Sequence, residues 1–333
     1  MPVSPMAEER QGVDRDKTCA NNGLSGWITA RSNAACLKRN ADDKSDETMK
    51  SFKRRLRKWR NRLARRLFDT RYGRELLVQS ISPRVLTMTA DCGDHRMTFS
   101  PHDYIGRKIY RKGHFEREHV DRLLAILGQR GLLEEGRALL ELGGNIGTQT
   151  IYFALSNCFS RILTVEPDPR NLILLRENIR QNGLETRVTV APCAAGAEGG
   201  TLDFFQHETN SGKSSALPAG GGTRRIAVPV KPVSDILAQA GLTPDDIGLV
   251  WMDIEGYEPA AIASMDVLMA RRTLIYMEFS PVFYGEAGAR ALRDTLAHHY
   301  ARALVFYEDG REVEMPLAEL PVSEPQFDVL LLP

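Results

Sequence analysis

The sequence predicts an α/β protein built on a doubly wound, mainly parallel sheet with helices on both faces. Three observations predict it. Short apolar runs recur from residue 136 onward, at Ala138–Leu142, 162–165, Val188–Ala191, 248–252 and Leu274–Phe279. The segments between most of them carry helical signals. Acids and glycines gather just after the runs, where such sheets bind ligands.

The 333 residues suffice for one large domain or two modest ones. Forty-four basic and 43 acidic residues leave a formal charge of +1, which argues against a chain that is basic throughout. Hydrophobic residues at 42% and charged residues at 26% supply a core and argue against global disorder. The five cysteines are an odd number with no CxxC pair, so neither a disulfide framework nor a zinc ribbon is expected and a reducing compartment is. No stretch approaches the roughly 18–20 apolar residues of a membrane span, and the N-terminus lacks the apolar centre of a secretory signal. A soluble, cytoplasmic protein is expected.

The even balance hides an asymmetry. Residues 50–74 hold 12 basic side chains and one acid, Asp69, so this segment carries +11 and the remainder −10. Phe52, Leu56, Trp59, Leu63 and Leu67 recur within it at intervals of four, three, four and four, one helical face surrounded by Arg and Lys. A basic amphipathic helix is therefore expected over 49–75. Its partner is left open among the protein body, an anionic membrane surface at the inner face, and nucleic acid, the last disfavoured. Residues 1–48 carry few large apolar side chains and read as a disordered tail. Met49 opens a stretch that reads as a start of its own, so the preceding 48 residues read as dispensable or as an overlong start-site assignment.

Residues 76–135 read as an N-terminal hairpin and helix leading into the core. Strands are expected at 85–89 and 96–99 around a turn at 91–94, then a Gly-punctuated loop over 104–116, then a helix marked by Val120, Leu123, Leu124 and Leu127. The main domain occupies 136–333. Asp168-Pro169 starts a helix lined by Leu172, Leu175 and Ile179 and ended by Gly183. Segments 202–205 and 226–230 read as antiparallel additions flanking a Ser/Gly loop. A helix is expected near 259–268, and strands at 304–307 and 329–332 close the chain.

The sharpest local signal is Leu139-Leu140-Glu141-Leu142-Gly143-Gly144-Asn145-Ile146-Gly147, a buried strand followed by a glycine turn and a helix. Glycine at 143 and 147 lets the backbone turn tightly and a ligand approach. The spacing is not Gly-x-Gly-x-x-Gly, which argues against a dinucleotide site, and no P-loop is present. Glu141 would repel a pyrophosphate and suits an amine-bearing, cationic ligand such as the methionine part of S-adenosylmethionine. Glu166 ends the next strand, 19 positions after Gly147, where a carboxylate can accept both hydroxyls of a ribose. A third signal, Trp251-Met252-Asp253-Ile254-Glu255-Gly256-Tyr257-Glu258, places three acids after a buried strand, across the same crevice. Helix N-terminal stabilisation is the competing role for Glu258. The absence of Asn/Asp-Pro-Pro-aromatic here argues against base amines as acceptors.

The combination of Glu141-Leu142-Gly143-Gly144-Asn145-Ile146-Gly147, Val165-Glu166-Pro167, Asp253-Ile254-Glu255-Gly256-Tyr257-Glu258 and Met277-Glu278 resembles the FkbM family of class I methyltransferases, over about 84–333. The loop Asn210-Ser211-Gly212-Lys213-Ser214-Ser215 is similar to that family's serine-rich segment. The resemblance implies a Rossmann-like seven-stranded sheet with an antiparallel last strand, and S-adenosylmethionine-dependent methylation of a hydroxyl on a sugar, glycan or secondary metabolite. Glu141 stands where the family more often has Asp. Expected cofactor-binding residues are Glu141, Gly143, Asn145, Gly147 and Glu166. Asp253, Glu255, Glu258 and Glu278 are the candidates for aligning the acceptor or taking its proton. His114 is a weaker one, His298-His299 reads as an exposed helix end, and no metal site is expected. An RNA methyltransferase guided by the basic helix, and an adenosyl-binding module without catalysis, are the alternatives.

Overall fold

The strand Ala138–Leu142 is buried along its whole length, as a strand covered on both faces must be. The computed structural model that shows this describes residues 29–217, 223–307 and 309–333, with side chains from Thr48 onward. The chain divides into two units, Met1–Arg66 and Leu67–Pro333.

The described part of the first unit belongs to one helix, α1 (Thr29–Phe68). The basic helix expected from residue 49 thus begins 20 positions earlier. A stretch with few large apolar residues has no apolar period by which to read a helix. Residues 1–28 of the expected tail lie outside the described residues.

The second unit opens with α2 (Arg71–Gln79), capped by the Thr70 side chain on the Gly73 N–H. β1 (Met88–Asp91) and β2 (Arg96–Phe99) form an antiparallel hairpin, with the first strand three residues later than the expected start at 85 and running into the expected turn at Asp91. α3 (Tyr104–Lys112) and α4 (Arg117–Gln129) follow. The segment 104–116 is therefore not a loop throughout. Asp103 caps α3, Ile105 and Ile109 bury one face a turn apart, and Gly113 stops the helix in a left-handed conformation.

From there strands and helices alternate: β3 (Ala138–Leu142), α5 (Thr148–Ser156), β4 (Arg161–Val165), α6 (Pro169–Gln181), β5 (Val188–Ala191), β6 (Ala194–Ala195), β7 (Gly200–His207), β8 (Thr223–Lys231), α7 (Val233–Gln239), β9 (Ile247–Met252), α8 (Glu258–Ile262), α9 (Asp266–Ala270), β10 (Leu274–Phe279), α10 (Pro281–Ala297), β11 (Arg302–Phe306), β12 (Glu312–Pro316) and β13 (Phe327–Leu332). The helix expected near 259–268 is two short ones, separated at Ala263–Met265.

Among the described residues the central sheet has eight strands, in the order β12-β11-β13-β10-β9-β3-β4-β5. This corrects the expected seven. β12 is the edge strand, paired antiparallel with β11, in a segment whose apolar side is only Val313 and Met315. β13 runs antiparallel between β10 and β11, as expected for the last strand. β7 and β8 pair antiparallel in a separate three-stranded sheet with β6 rather than extending the central one.

Two apolar cores flank the sheet. Leu140, Leu163, Val250 and Ile275 pack with Ile236, Leu268 and Leu292 on one face. Leu139, Ile162, Leu249 and Tyr276 pack with Ile109, Leu123, Ile151 and Leu175 on the other. The strand ends of β3, β4, β9 and β10 are thereby held in line, and the loops that leave them share one edge. Among the described residues no helix is long and apolar enough to cross a membrane.

Candidate functional site

At that edge lies a cavity of about 1020 Å³, at the upper end of the range for small-molecule sites and large enough for two ligands side by side. Of the residues expected from the sequence, Gly143, Asn145, Glu166, Asp253, Glu255 and Glu278 line it.

The glycine turn after β3 is set by close backbone approach. Gly143 has φ +97°, and a Cβ there would come within 1.9 Å of the Asp253 carbonyl oxygen. The Asp253 N–H in turn donates to the Leu142 carbonyl at 3.0 Å, so the ends of β3 and β9 are pinned to each other. Asn145 follows with φ +47°, and Glu255 on the opposite loop has φ +50°. Both are left-handed conformations that a non-glycine residue adopts at a cost, and both border the cavity. The Ser215 hydroxyl donates to the Glu255 carbonyl at 2.6 Å and helps hold the second.

Glu166 sits at the end of β4, 4% exposed. Its Oε2 accepts the Asn145 N–H at 2.7 Å. Its Oε1 accepts the Asp168 N–H at 2.7 Å and a longer contact, 3.4 Å, from the Asn171 amide. Burial pushes the carboxyl up to about 7 against these stabilising donors.

The far wall is rich in carboxyl groups. Asp253 follows β9, Glu255 lies two residues on, and Glu278 stands next to the last residue of β10. Burial raises each, and neighbouring carboxylates raise them further. Asp253 is pushed up to about 6, by burial and then by the Asp328 charge. Glu255 reaches about 8, with Asp253 the main neighbour. Glu278 reaches about 10, with Asp253 and Glu255 adding to burial. The Ser280 hydroxyl donates to Glu278 at 3.1 Å, and the Gln326 amide donates to its other oxygen.

Three of the expected residues stand apart from the cavity wall. Glu141 is fully buried one strand position before the turn, where Thr150 of α5 donates to its Oε2. Gly147 has φ +92° and packs against Leu175, opening α5. Glu258 is fully buried at the start of α8 and accepts the Gly256 N–H at 3.1 Å, the helix-start role that competed for it in the sequence. His114 pairs with Glu118 at 3.4 Å, and His298 caps α10.

The wall also has members that the sequence did not single out. Glu116, in a left-handed conformation before α4, and His119, in its first turn, line the cavity together with the acids that follow β9. Burial, then Asp253, pushes Glu116 up to about 7. His119 lies 3.5 Å from Asp328 of β13, which raises its pKa, and Asp328 accepts the Tyr276 hydroxyl at 2.8 Å. Asp328 is the one acid in an otherwise apolar strand, a signal that was present in the sequence; Glu116 and His119 carried none. Among the described residues no cluster of His, Cys, Asp and Glu is arranged to hold a metal ion.

The sequence model of the methyltransferase FkbM domain matches residues 141–310, just over half of the chain. The 2-O-methyltransferase NoeI of Sinorhizobium fredii is 27% identical over 177 residues, covering 47% of this chain and 70% of that protein. Among solved structures, a methyltransferase FkbM from Methylobacillus flagellatus KT aligns at 16% identity with a TM-score of 0.42, over 68% of this chain and 53% of that one. The chain thus spans about half the length of that protein. An O-methyltransferase from Bacillus cereus, solved in complex with SAH, aligns at 16% identity and a TM-score of 0.34, over 66% of this chain and 89% of that one.

Proposed function

This chain belongs to the FkbM methyltransferase family, and from that premise we propose that it is an S-adenosylmethionine-dependent O-methyltransferase acting on a hydroxyl of a sugar, glycan or secondary metabolite. The observation that carries the reading is the cavity wall itself. Glu116, Asp253, Glu255 and Glu278 crowd together with raised pKa values, a frustration that a bound cation relieves. A sulfonium bearing an α-amino group is such a cation.

Glu166 tests the fit of the adenosyl half. Oε2 keeps a lone pair beyond the Asn145 N–H, and only the 3.4 Å contact from Asn171 competes for the second place on Oε1. Among the described residues no Arg or Lys is paired with this carboxylate. Two hydroxyls of a ribose supply the donors it lacks.

When bound, S-adenosylmethionine supplies an activated methyl group for in-line displacement. The protein has to align the acceptor and receive its proton. Among Glu116, Asp253, Glu255 and Glu278, Asp253 has the lowest value, about 6, and at neutral pH it carries the charge that takes the proton from the acceptor hydroxyl. Glu255 and Glu278, raised further, keep their protons and can donate hydrogen bonds to acceptor oxygens. Glu166, Asn145 and Gly143 would hold the adenosyl part of the cofactor. The 2-O-methyltransferase named above, whose acceptor atom is an oxygen, supports oxygen as the acceptor here.

Isothermal calorimetry tests the reading. Micromolar binding of S-adenosylmethionine or its demethylated product, about −8 kcal/mol, is expected. No heat with either, together with binding of NAD, overturns it.

A further inference from the structure

The surface of the basic helix has a chemistry of its own. Phe52, Leu56, Trp59 and Leu63 of α1 are between 52% and 63% exposed, and Leu67 continues the row at 58%. At about 100° per residue these five side chains fall within an arc of about 80°. Cations border both edges of that arc, Arg55, Arg62 and Arg66 on one side and Lys53 and Arg60 on the other. Across 50–74 the net charge is +11 while the rest of the chain carries −10.

We propose that α1 binds the surface of an anionic lipid membrane, lying in the headgroup plane with its apolar row turned toward the acyl chains. The charge identifies the partner as anionic. The apolar row distinguishes a lipid surface from nucleic acid, because a helix reading phosphates presents cations on its contact face, whereas here that face is Phe, Leu and Trp with cations at its margins. Arg and Lys at the margins reach headgroup phosphates while their stems cover the edge of the buried row. Each cation near the surface adds to attraction that fades within a Debye length, and the negative remainder of the chain leaves α1 as the contacting element. The enzyme would then meet acceptors at a membrane face without spanning it. This placement is independent of which acceptor the cavity takes.

The test is co-sedimentation of the full chain with phosphatidylcholine vesicles that contain about a third phosphatidylglycerol. Binding is expected at low salt, to weaken by about tenfold or more between ~0.05 and ~0.5 M salt, and to be absent with pure phosphatidylcholine. The double variant Trp59→Ser/Leu63→Ser should bind about tenfold more weakly, with an unchanged melting temperature. Equal sedimentation of this variant and the parent overturns the proposal, as does binding of an RNA oligonucleotide with no binding to vesicles. A melting temperature several degrees lower in the variant also overturns it, since the row would then be covered by the protein itself.

Discussion

The Glu166 carboxylate accepts the backbone N–H of Asn145 across the crevice between β4 and the turn after β3, at 2.7 Å. The same carboxylate lines the cavity, so one side chain couples the cavity wall to the turn after β3. It accepts the N–H of an Asn145 held in a left-handed conformation.

That coupling separates two substitutions. Glu166→Gln keeps one amide oxygen for the Asn145 N–H but turns its NH2 toward the Asp168 N–H, so cofactor affinity should fall by about 1 kcal/mol and the melting temperature should fall with it. Glu166→Ala also leaves buried N–H groups unpaired, and affinity should fall by about 1.5–3 kcal/mol. Calorimetry on both variants checks this; unchanged affinity in a folded Ala variant removes Glu166 from the ribose role.

Asp253→Asn removes the proposed proton acceptor while leaving the Asp253 N–H bond to Leu142 in place. The methyl-transfer rate should drop by about 10²–10⁴-fold with cofactor affinity reduced far less. In the parent enzyme kcat/KM should fall as pH drops through about 6, the value to which burial and Asp328 push this carboxyl group. A variant that keeps the parent's rate and pH profile shifts the role to another carboxylate of the wall.

The unliganded protein should lose stability as pH rises. Glu116, Glu166, Asp253 and Glu255 have folded-state values raised to about 7, 7, 6 and 8, so the folded state binds more protons than the unfolded state between the ordinary carboxylate range and these values. Stability from these groups is full below the unfolded pKa and is lost as pH climbs through the folded one. Between pH ~5 and ~8 the melting temperature should fall, on the order of 5 °C, and saturating S-adenosylmethionine should restore part of the loss at the upper end. A scan by differential scanning fluorimetry that rises over this window contradicts the assignment of a proton-holding wall.

Much of the scaffold was written locally. Continuous apolar runs between helical segments specify strands covered on both faces, and Asp168 before Pro169 specifies a helix start that the structure shows, with the Asp168 side chain on the Arg170 N–H. The glycine turn and Glu166 were legible because both must lie within a few residues of a strand end. α3 escaped because Gly106 and Gly113 read as breaks, although Gly106 packs within the helix, where a Cβ would meet the Ser100 carbonyl oxygen at 2.1 Å. β12 escaped because its inward face is only Val313 and Met315, half-buried between exposed neighbours.

By itself the sequence determined that the sheet is mainly parallel, that a glycine turn and an acid end adjacent strands, and that a basic stretch carries an apolar row. Tertiary structure alone decided which acids share the cavity. Glu141 and Glu258 satisfy the same sequence pattern as Glu166 and Asp253, yet strand alternation turns Glu141 toward Thr150 of α5, and the start of α8 folds Glu258 onto the Gly256 N–H. Asp328, 75 positions beyond Asp253, enters the wall only because β13 inserts antiparallel beside β10 and sets Asp328 opposite Glu278. Alternation along one strand is a local property, whereas the pairing of strands distant in the chain is set by the packing of both cores.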